Sequence, residues 1–208
     1  MLLYIIPRKG CDDVVSPRDR MVASAAVLIR ERGAHSTAIS DVLEHSGAPR
    51  GSAYHYFPGG RTQLLCEAVD FAADHVAAQI IGATTGLDVL DAVVAGFRKQ
   101  LTKTGYRAGC PVVAVAVEAG DPAKDENAAA LERAGAAFVR WTDLIAERLV
   151  EGGVAEDRAR ELSMFLTSAI EGAIVIARAT KDAAPLDSTH RQLRALLETE
   201  MGSTRDDR

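Results

Sequence analysis

Apolar residues recur along this chain at helical spacing, and glycine and proline gather where the pattern breaks. The breaks fall at Gly33, Gly47, Pro58-Gly59-Gly60, Gly82 to Gly86, Gly105 to Gly109, Gly120-Asp121-Pro122, Gly152-Gly153 and Pro185. Strand signals are nearly absent, aromatics are few, and long alanine-rich stretches favour helix. About nine helices are predicted, which makes the fold class all-α. The first has a clear start: Ser16 caps, Pro17 takes the first helical position, and Asp19 completes a capping box. Met21, Ala25, Leu28 and Ile29 then form one apolar face, and Gly33 ends it.

Two very short helices follow. Thr37 is the expected cap of the first, whose inward residues are Val42 and Leu43, and Ser46-Gly47-Ala48 breaks it. The second is expected from about Pro49 to Tyr56. A long helix then runs from near Arg61 to about Ile81, with Leu64, Leu65, Ala68, Phe71, Ala72, His75, Val76 and Gln79 along one side. Helices of about eight residues are unstable alone and need a neighbour to pack on. Two of them around a small-residue turn, braced by a longer helix, make a helix-turn-helix. Its second helix enters the DNA major groove.

The run Thr37-Ala38-Ile39-Ser40-Asp41-Val42-Leu43, followed by Ser46-Gly47-Ala48-Pro49-Arg50-Gly51-Ser52-Ala53-Tyr54-His55-Tyr56-Phe57-Pro58-Gly59-Gly60-Arg61, resembles the DNA-binding domain of the TetR family of bacterial repressors. Two departures stand out. Ala38 occupies the place where many relatives carry a phosphate-reaching hydroxyl, and Pro49 the place where a serine often caps. The chemistry of the segment suits DNA. Thr37 and Ser40 open the supporting helix, where free backbone N–H groups meet phosphate. Arg50 and Ser52 stand at the start of the reading helix, and an arginine pairs bidentately with a guanine edge. Gly51 lets the backbone approach closely. Tyr54 and His55 offer polar tips. Phe57 is expected in the core. Arg61 resembles the family's phosphate-contacting lysine.

The second half has the same helical grain. Gly109-Cys110-Pro111-Val112-Val113-Ala114-Val115-Ala116-Val117-Glu118 reads as a buried helix after a Gly-Pro start. With Pro58-Gly59-Gly60-Arg61 it resembles the TetR subgroup that includes repressors of lincomycin-type multidrug efflux. That resemblance implies a C-terminal domain that dimerises and binds a ligand. Leu162, Leu166, Ala169, Ile170, Ala173 and Ala177, with Leu193, Leu196 and Leu197 on the last helix, are the candidate dimer face. The same pattern fits an ordinary intrachain core. Phe97, Leu101, Tyr106, Cys110 and Val113 are candidate walls of an apolar ligand cavity. Phe138, Trp141, Met164 and Phe165 are further candidates, and His75 and Glu118 its candidate polar residues.

Composition adds limits. The chain has 208 residues and a net charge of −5. Between Pro17 and Leu65, however, Arg18, Arg20, Arg30, Arg32, Arg50 and Arg61 outnumber Asp19, Glu31, Asp41 and Glu44. That balance permits phosphate binding at this end. Three distant cysteines, Cys11, Cys66 and Cys110, make neither a disulfide framework nor a zinc site, which fits a reducing cytoplasm. A redox switch at Cys66 or Cys110 is the sharper reading, and a buried small hydrophobe the plainer one. No apolar run approaches the ~20 residues of a membrane span. The apolar start Met1 to Ile6 stops at Pro7, ahead of its positive charges, unlike a secretory signal.

The expected organisation is therefore a flexible arm at 1–15, a helix-turn-helix domain at 16–60, a ligand-binding and dimerisation domain at 61–202, and a tail at 203–208. Arg8 and Lys9 on the arm are available to DNA. The expected function is a cytoplasmic, homodimeric repressor on palindromic double-stranded DNA, released by a small hydrophobic effector. No cofactor, metal or membrane is expected. An architectural DNA binder with no ligand is the alternative. An enzyme is disfavoured, because no nucleophile elbow, phosphate loop or cofactor fingerprint occurs.

Overall fold

A computed structural model describes residues 16–118 and 127–206, with side chains through Gly202. The helices are α1 (Pro17–Arg32), α2 (Ile39–Ser46), α3 (Ser52–Tyr56), α4 (Gly60–Ile81), α5 (Gly86–Lys103), α6 (Pro111–Val117), α7 (Ala128–Glu151), α8 (Glu156–Thr180) and α9 (Ala184–Asp206). No strand occurs among the described residues. The expected arm lies outside them. The backbone of α9 continues past the boundary expected for the tail, to Asp206.

The helices form two compact units. The first holds α1 to α3, α4 up to Asp74, α6, and α7 up to Ala137. The second holds α4 from His75, α5, α7 from Phe138, α8 and α9. This division differs from a cut at residue 60. The reason lies in α1, which was expected to bury one stripe. Instead every residue from Met21 to Arg30 is buried. Such a helix needs cover on several sides. α2 supplies one side, and α6 packs on it with Pro111, Val112, Ala114 and Val115 buried. Arg30 is among the buried residues, and that burial pushes its guanidinium below the usual arginine range, against the opposing pull of Glu31.

The local signals at the start of α1 hold. Ser16 Oγ accepts from the Asp19 N–H at 3.1 Å and donates to Asp19 Oδ2 at 2.8 Å. In the second unit α5 begins with a full capping box. Thr85 Oγ1 accepts from Asp88 N–H at 3.1 Å, and Asp88 Oδ2 accepts from Thr85 N–H at 3.0 Å. α5 packs on α8 and α9, and α8 on α9. Arg98 pairs with Asp187, and Asp91 accepts from both His190 and Arg194, tying α5 to α9.

Candidate nucleic-acid interface and effector cavity

The helix-turn-helix is built from the loop outward. α2 starts one residue later than expected: its N-cap is Ala38, whose N–H is met by Asp41 Oδ2 at 3.3 Å. Thr37 is not the cap. It is 1% exposed, and its Oγ1 donates to Gly33 O at 2.7 Å, so its side chain closes the α1–α2 loop and has no path to a phosphate. Ser40 stands exposed in the first turn of α2. Gly47 ends the helix in the left-handed region at φ 65°, which a glycine adopts without strain. Ser46 Oγ then accepts from Ala48 N–H at 3.2 Å.

α3 has only five residues, and Arg50 and Gly51 precede it in a turn. Pro49 O accepts from both the N–H of Ser52, at 2.9 Å, and its hydroxyl, at 2.6 Å. Ser52 thus fixes the turn locally. So short a helix is held from behind. Ala53 and Phe57 are 1% exposed, and the Arg18 guanidinium lies 5.3 Å from the centre of the Phe57 ring while pairing with Glu67 at 2.6 Å. The opposite edge carries Arg50, Gly51, Tyr54 and His55, all exposed, with Tyr54 at 76%.

Arg61 has a different place from the one its register suggests. Its Nε donates to Thr37 O at 3.0 Å, Nη1 to Asn127 Oδ1 at 2.9 Å, and Nη2 to Ala34 O. Three of its five donors therefore face the α1–α2 loop and the start of α7. Glu118, at the end of α6, grips the same loop. Its Oε2 accepts from His35 N–H at 2.9 Å and lies 3.1 Å from His35 Nδ1. Gly33 has φ 91°, and a Cβ there would collide with the Glu118 carboxylate. Gly33→Ala is therefore expected to destabilise the protein by about 1–3 kcal/mol, read as a lower midpoint in urea unfolding. An unchanged midpoint would mean that the loop relaxes freely.

A small apolar cavity of about 30 Å³ lies in the second unit. Its walls come from α4, α5, α7 and α8, among them Val76, Phe97, Trp141 and Ile145. Among the described residues, Glu171 is its one charged lining residue and Thr167 its one hydroxyl. A more open groove beside it is lined by Phe138, Thr142, Met164 and Ser168, and shares Thr167 and Glu171. Phe97 and Trp141 line the cavity, and Phe138 and Met164 border the groove. His75 is half-buried beside Val76. Leu101 is fully buried core, Tyr106 sits at φ 62° in the turn after α5, and Phe165 is 54% exposed; none lines the cavity. Cys110, Val113 and Glu118 belong to the first unit.

Glu171 was missed because a lone glutamate on a helix ordinarily reads as a solvated face. A signal was available: it is the one charged residue between Glu161 and Arg178. Of the thiols, Cys110 is buried, and burial pushes Cys66 upward. Asp70, Glu132 and Glu67 push Cys66 the same way, and Arg133 pulls it back. The thiolate that a redox switch needs is disfavoured at Cys66.

The candidate dimer face is corrected by burial. Leu162, Leu166, Ile170, Ala173, Ala177, Leu193 and Leu197 are all buried within one chain, and Ala169 and Leu196 are half-buried. These residues are the core of the second unit. The exposed apolar side of α8 lies roughly 130° around the helix at 100° per residue. It carries Phe165, Val175 and Ile176, at 54%, 49% and 53% exposure, with Ser168 and Gly172 between them and Met164 at its edge. α8 is long and apolar enough by composition to cross a membrane. Its core side and its exposed stripe account for that hydropathy.

Two family models match the chain, over separate stretches of the sequence. Residues 22–68 match the model for bacterial regulatory proteins of the tetR family. Residues 87–192 match the C-terminal domain of LmrA/YxaF-like transcriptional regulators. The chain is 62% identical over 186 residues to "Uncharacterized HTH-type transcriptional regulator Rv0196" of Mycobacterium tuberculosis, covering 89% of this chain and 96% of that one. It is 29% identical over 173 residues to the HTH-type transcriptional regulator LmrA of Bacillus subtilis, covering 81% and 90%. A TetR transcriptional regulator from Legionella pneumophila superposes with a TM-score of 0.74 at 16% identity, covering 88% of this chain and 98% of that one. One from Chloroflexus aurantiacus gives 0.68 at 28% identity, covering 88% and 95%.

Proposed function

The chain belongs to the TetR family of bacterial transcriptional regulators, and from that premise we propose that it is a homodimeric repressor released from a palindromic operator by a small hydrophobic ligand. The observation that carries this reading is the exposed edge of α3. Arg50, Gly51, Tyr54 and His55 face outward from a helix too short to exist for its own sake, while Ala53 and Phe57 anchor it from behind. Ser40, exposed in the first turn of α2, adds a phosphate contact.

Two copies would set their reading helices ~34–36 Å apart, one per major groove. The exposed stripe of α8 supplies the face between copies. α4 supplies the coupling. Val76 and Ile80, near its end, wall the cavity, and Arg61, near its start, holds the α1–α2 loop. A ligand that widens the narrow cavity moves α4, and the loop moves with Arg61. Coupling of this kind is worth ~1–3 kcal/mol and is reciprocal, so operator DNA weakens ligand binding by the same factor.

The test is a gel shift on the DNA upstream of the protein's own gene, at fixed salt, for wild type and Arg50→Ala. Loss of one bidentate base contact is expected to cost ~1–3 kcal/mol, roughly ten- to hundred-fold in affinity. Affinity for unrelated DNA should change much less. An equal loss on every sequence would make Arg50 a phosphate contact and move base reading elsewhere.

A further inference from the structure

A chain of side chains with Glu67 at its centre grips the C-terminal end of the reading helix. Glu67, two turns into α4, accepts from Arg18 Nη2 at 2.7 Å on Oε1 and at 2.6 Å on Oε2. Its Oε1 also accepts from Gln63 Nε2 at 3.0 Å, and Gln63 Oε1 accepts from the Gly59 N–H at 2.9 Å. We propose that Glu67 is a positioning residue for sequence reading: it makes no DNA contact itself and holds α3 at the angle its base contacts need. This rests on the reading above that the exposed edge of α3 meets base edges.

Three observations carry it. First, the network closes on both sides of Phe57, the residue that ends α3. The Arg18 guanidinium lies 5.3 Å from the centre of the Phe57 ring, and Gln63 fixes Gly59, two positions further along the chain. A Cβ at Gly59 would meet Gln63 at 3.1 Å, so the loop passes close to it. Second, α3 cannot keep an angle by itself. It has five residues and a length of about 7.5 Å. Tyr54 and His55 stand exposed within one turn of Phe57, so a tilt at Phe57 reaches them directly. Contacts of this kind need their groups held within about 0.5 Å. Third, Arg18 is anchored. It sits in the first turn of α1, where Ser16 Oγ accepts from the Asp19 N–H at 3.1 Å. The sign of Glu67 argues against a direct role: both of its oxygens are engaged by Arg18 or Gln63, and a carboxylate repels phosphate.

The test uses the full chain, with Glu67→Ala and Gln63→Leu beside wild type. Affinity is measured at one fixed salt on an operator selected from a random duplex pool and on an unrelated duplex of equal length. Glu67→Ala removes a negative charge, so electrostatics alone strengthens binding to both duplexes and leaves their ratio unchanged. A merely structural loss lowers the active fraction on both and also leaves the ratio unchanged. Loss of positioning lowers the ratio. A drop of at least about fivefold is expected for Glu67→Ala, the low end of what one base contact discriminates. Affinity for unrelated DNA should hold or rise. Gln63→Leu changes no charge and cuts only the arm to Gly59, and its ratio should fall in the same direction. Circular dichroism is expected to show wild-type helix content in both variants. A wild-type ratio in either folded variant overturns the proposal. A wild type that prefers no duplex at all instead fails the reading of α3, and the proposal falls with it.

Discussion

Ile176→Asp is expected to turn the protein into a monomer and to weaken operator binding by at least about 100-fold, since specific binding exceeds non-specific by ~10³ or more and needs both half-sites. Ile176 is 53% exposed, so a charge there does not disturb the core of its own chain. In a two-fold interface each residue meets the same surface of its partner, so one substitution places two aspartates in the contact. Charges left unpaired in such an interface cost ~2–5 kcal/mol. Ser168 and Gly172, small residues on the same side of α8, permit close approach of the two copies. Size-exclusion chromatography with light scattering, beside circular dichroism, reads the result. A monomer with unchanged helix content is expected. A dimer that survives the charge would place the interface elsewhere.

The second large effect concerns Arg61. Arg61→Ala leaves Thr37 O, Ala34 O and Asn127 Oδ1 without this donor. Charge-assisted bonds of this kind contribute ~1.5–3 kcal/mol each and are not additive. A net loss of about 2–4 kcal/mol is expected, which for a chain of this size lowers Tm by roughly 5–15 °C at fixed protein concentration. Arg61→Lys should recover only part of it, because an ammonium cannot span three acceptors in fork geometry. A plain phosphate contact predicts the reverse: unchanged Tm and weaker DNA binding. Thermal unfolding followed by circular dichroism separates the two.

What the sequence disclosed was local. Ser16, Pro17 and Asp19 mark the start of α1 within four residues, and Gly47 marks the turn by its own backbone preference. Phe57 was legible as core because it closes a motif with a fixed register. What it concealed was non-local. Periodicity places apolar residues on a helix but does not name what covers each side. α8 is apolar on two sides, and the side with more leucine and isoleucine proved to be core, leaving Phe165, Val175 and Ile176 outside. α1 read as a single stripe because its second cover, α6, lies about 80 residues away. Thr37 has the chemistry of a cap, but the loop turns its hydroxyl back to Gly33 O. Arg61 kept the register of a phosphate contact and found acceptors in a loop and in Asn127, which no pattern near residue 61 reveals.

Reading DNA sequence as a symmetric dimer is what sets the proposed repressor apart from a general DNA binder. Selection from a random pool of duplex DNA tests it most directly, because the operator need not be known in advance. At fixed moderate salt, an inverted repeat whose half-sites lie about one helical turn apart is expected to be enriched. Arg50→Ala should blur the consensus at one position in each half. Recovery of no consensus, with equal affinity for every duplex, would contradict the claim and leave a DNA binder that does not read sequence.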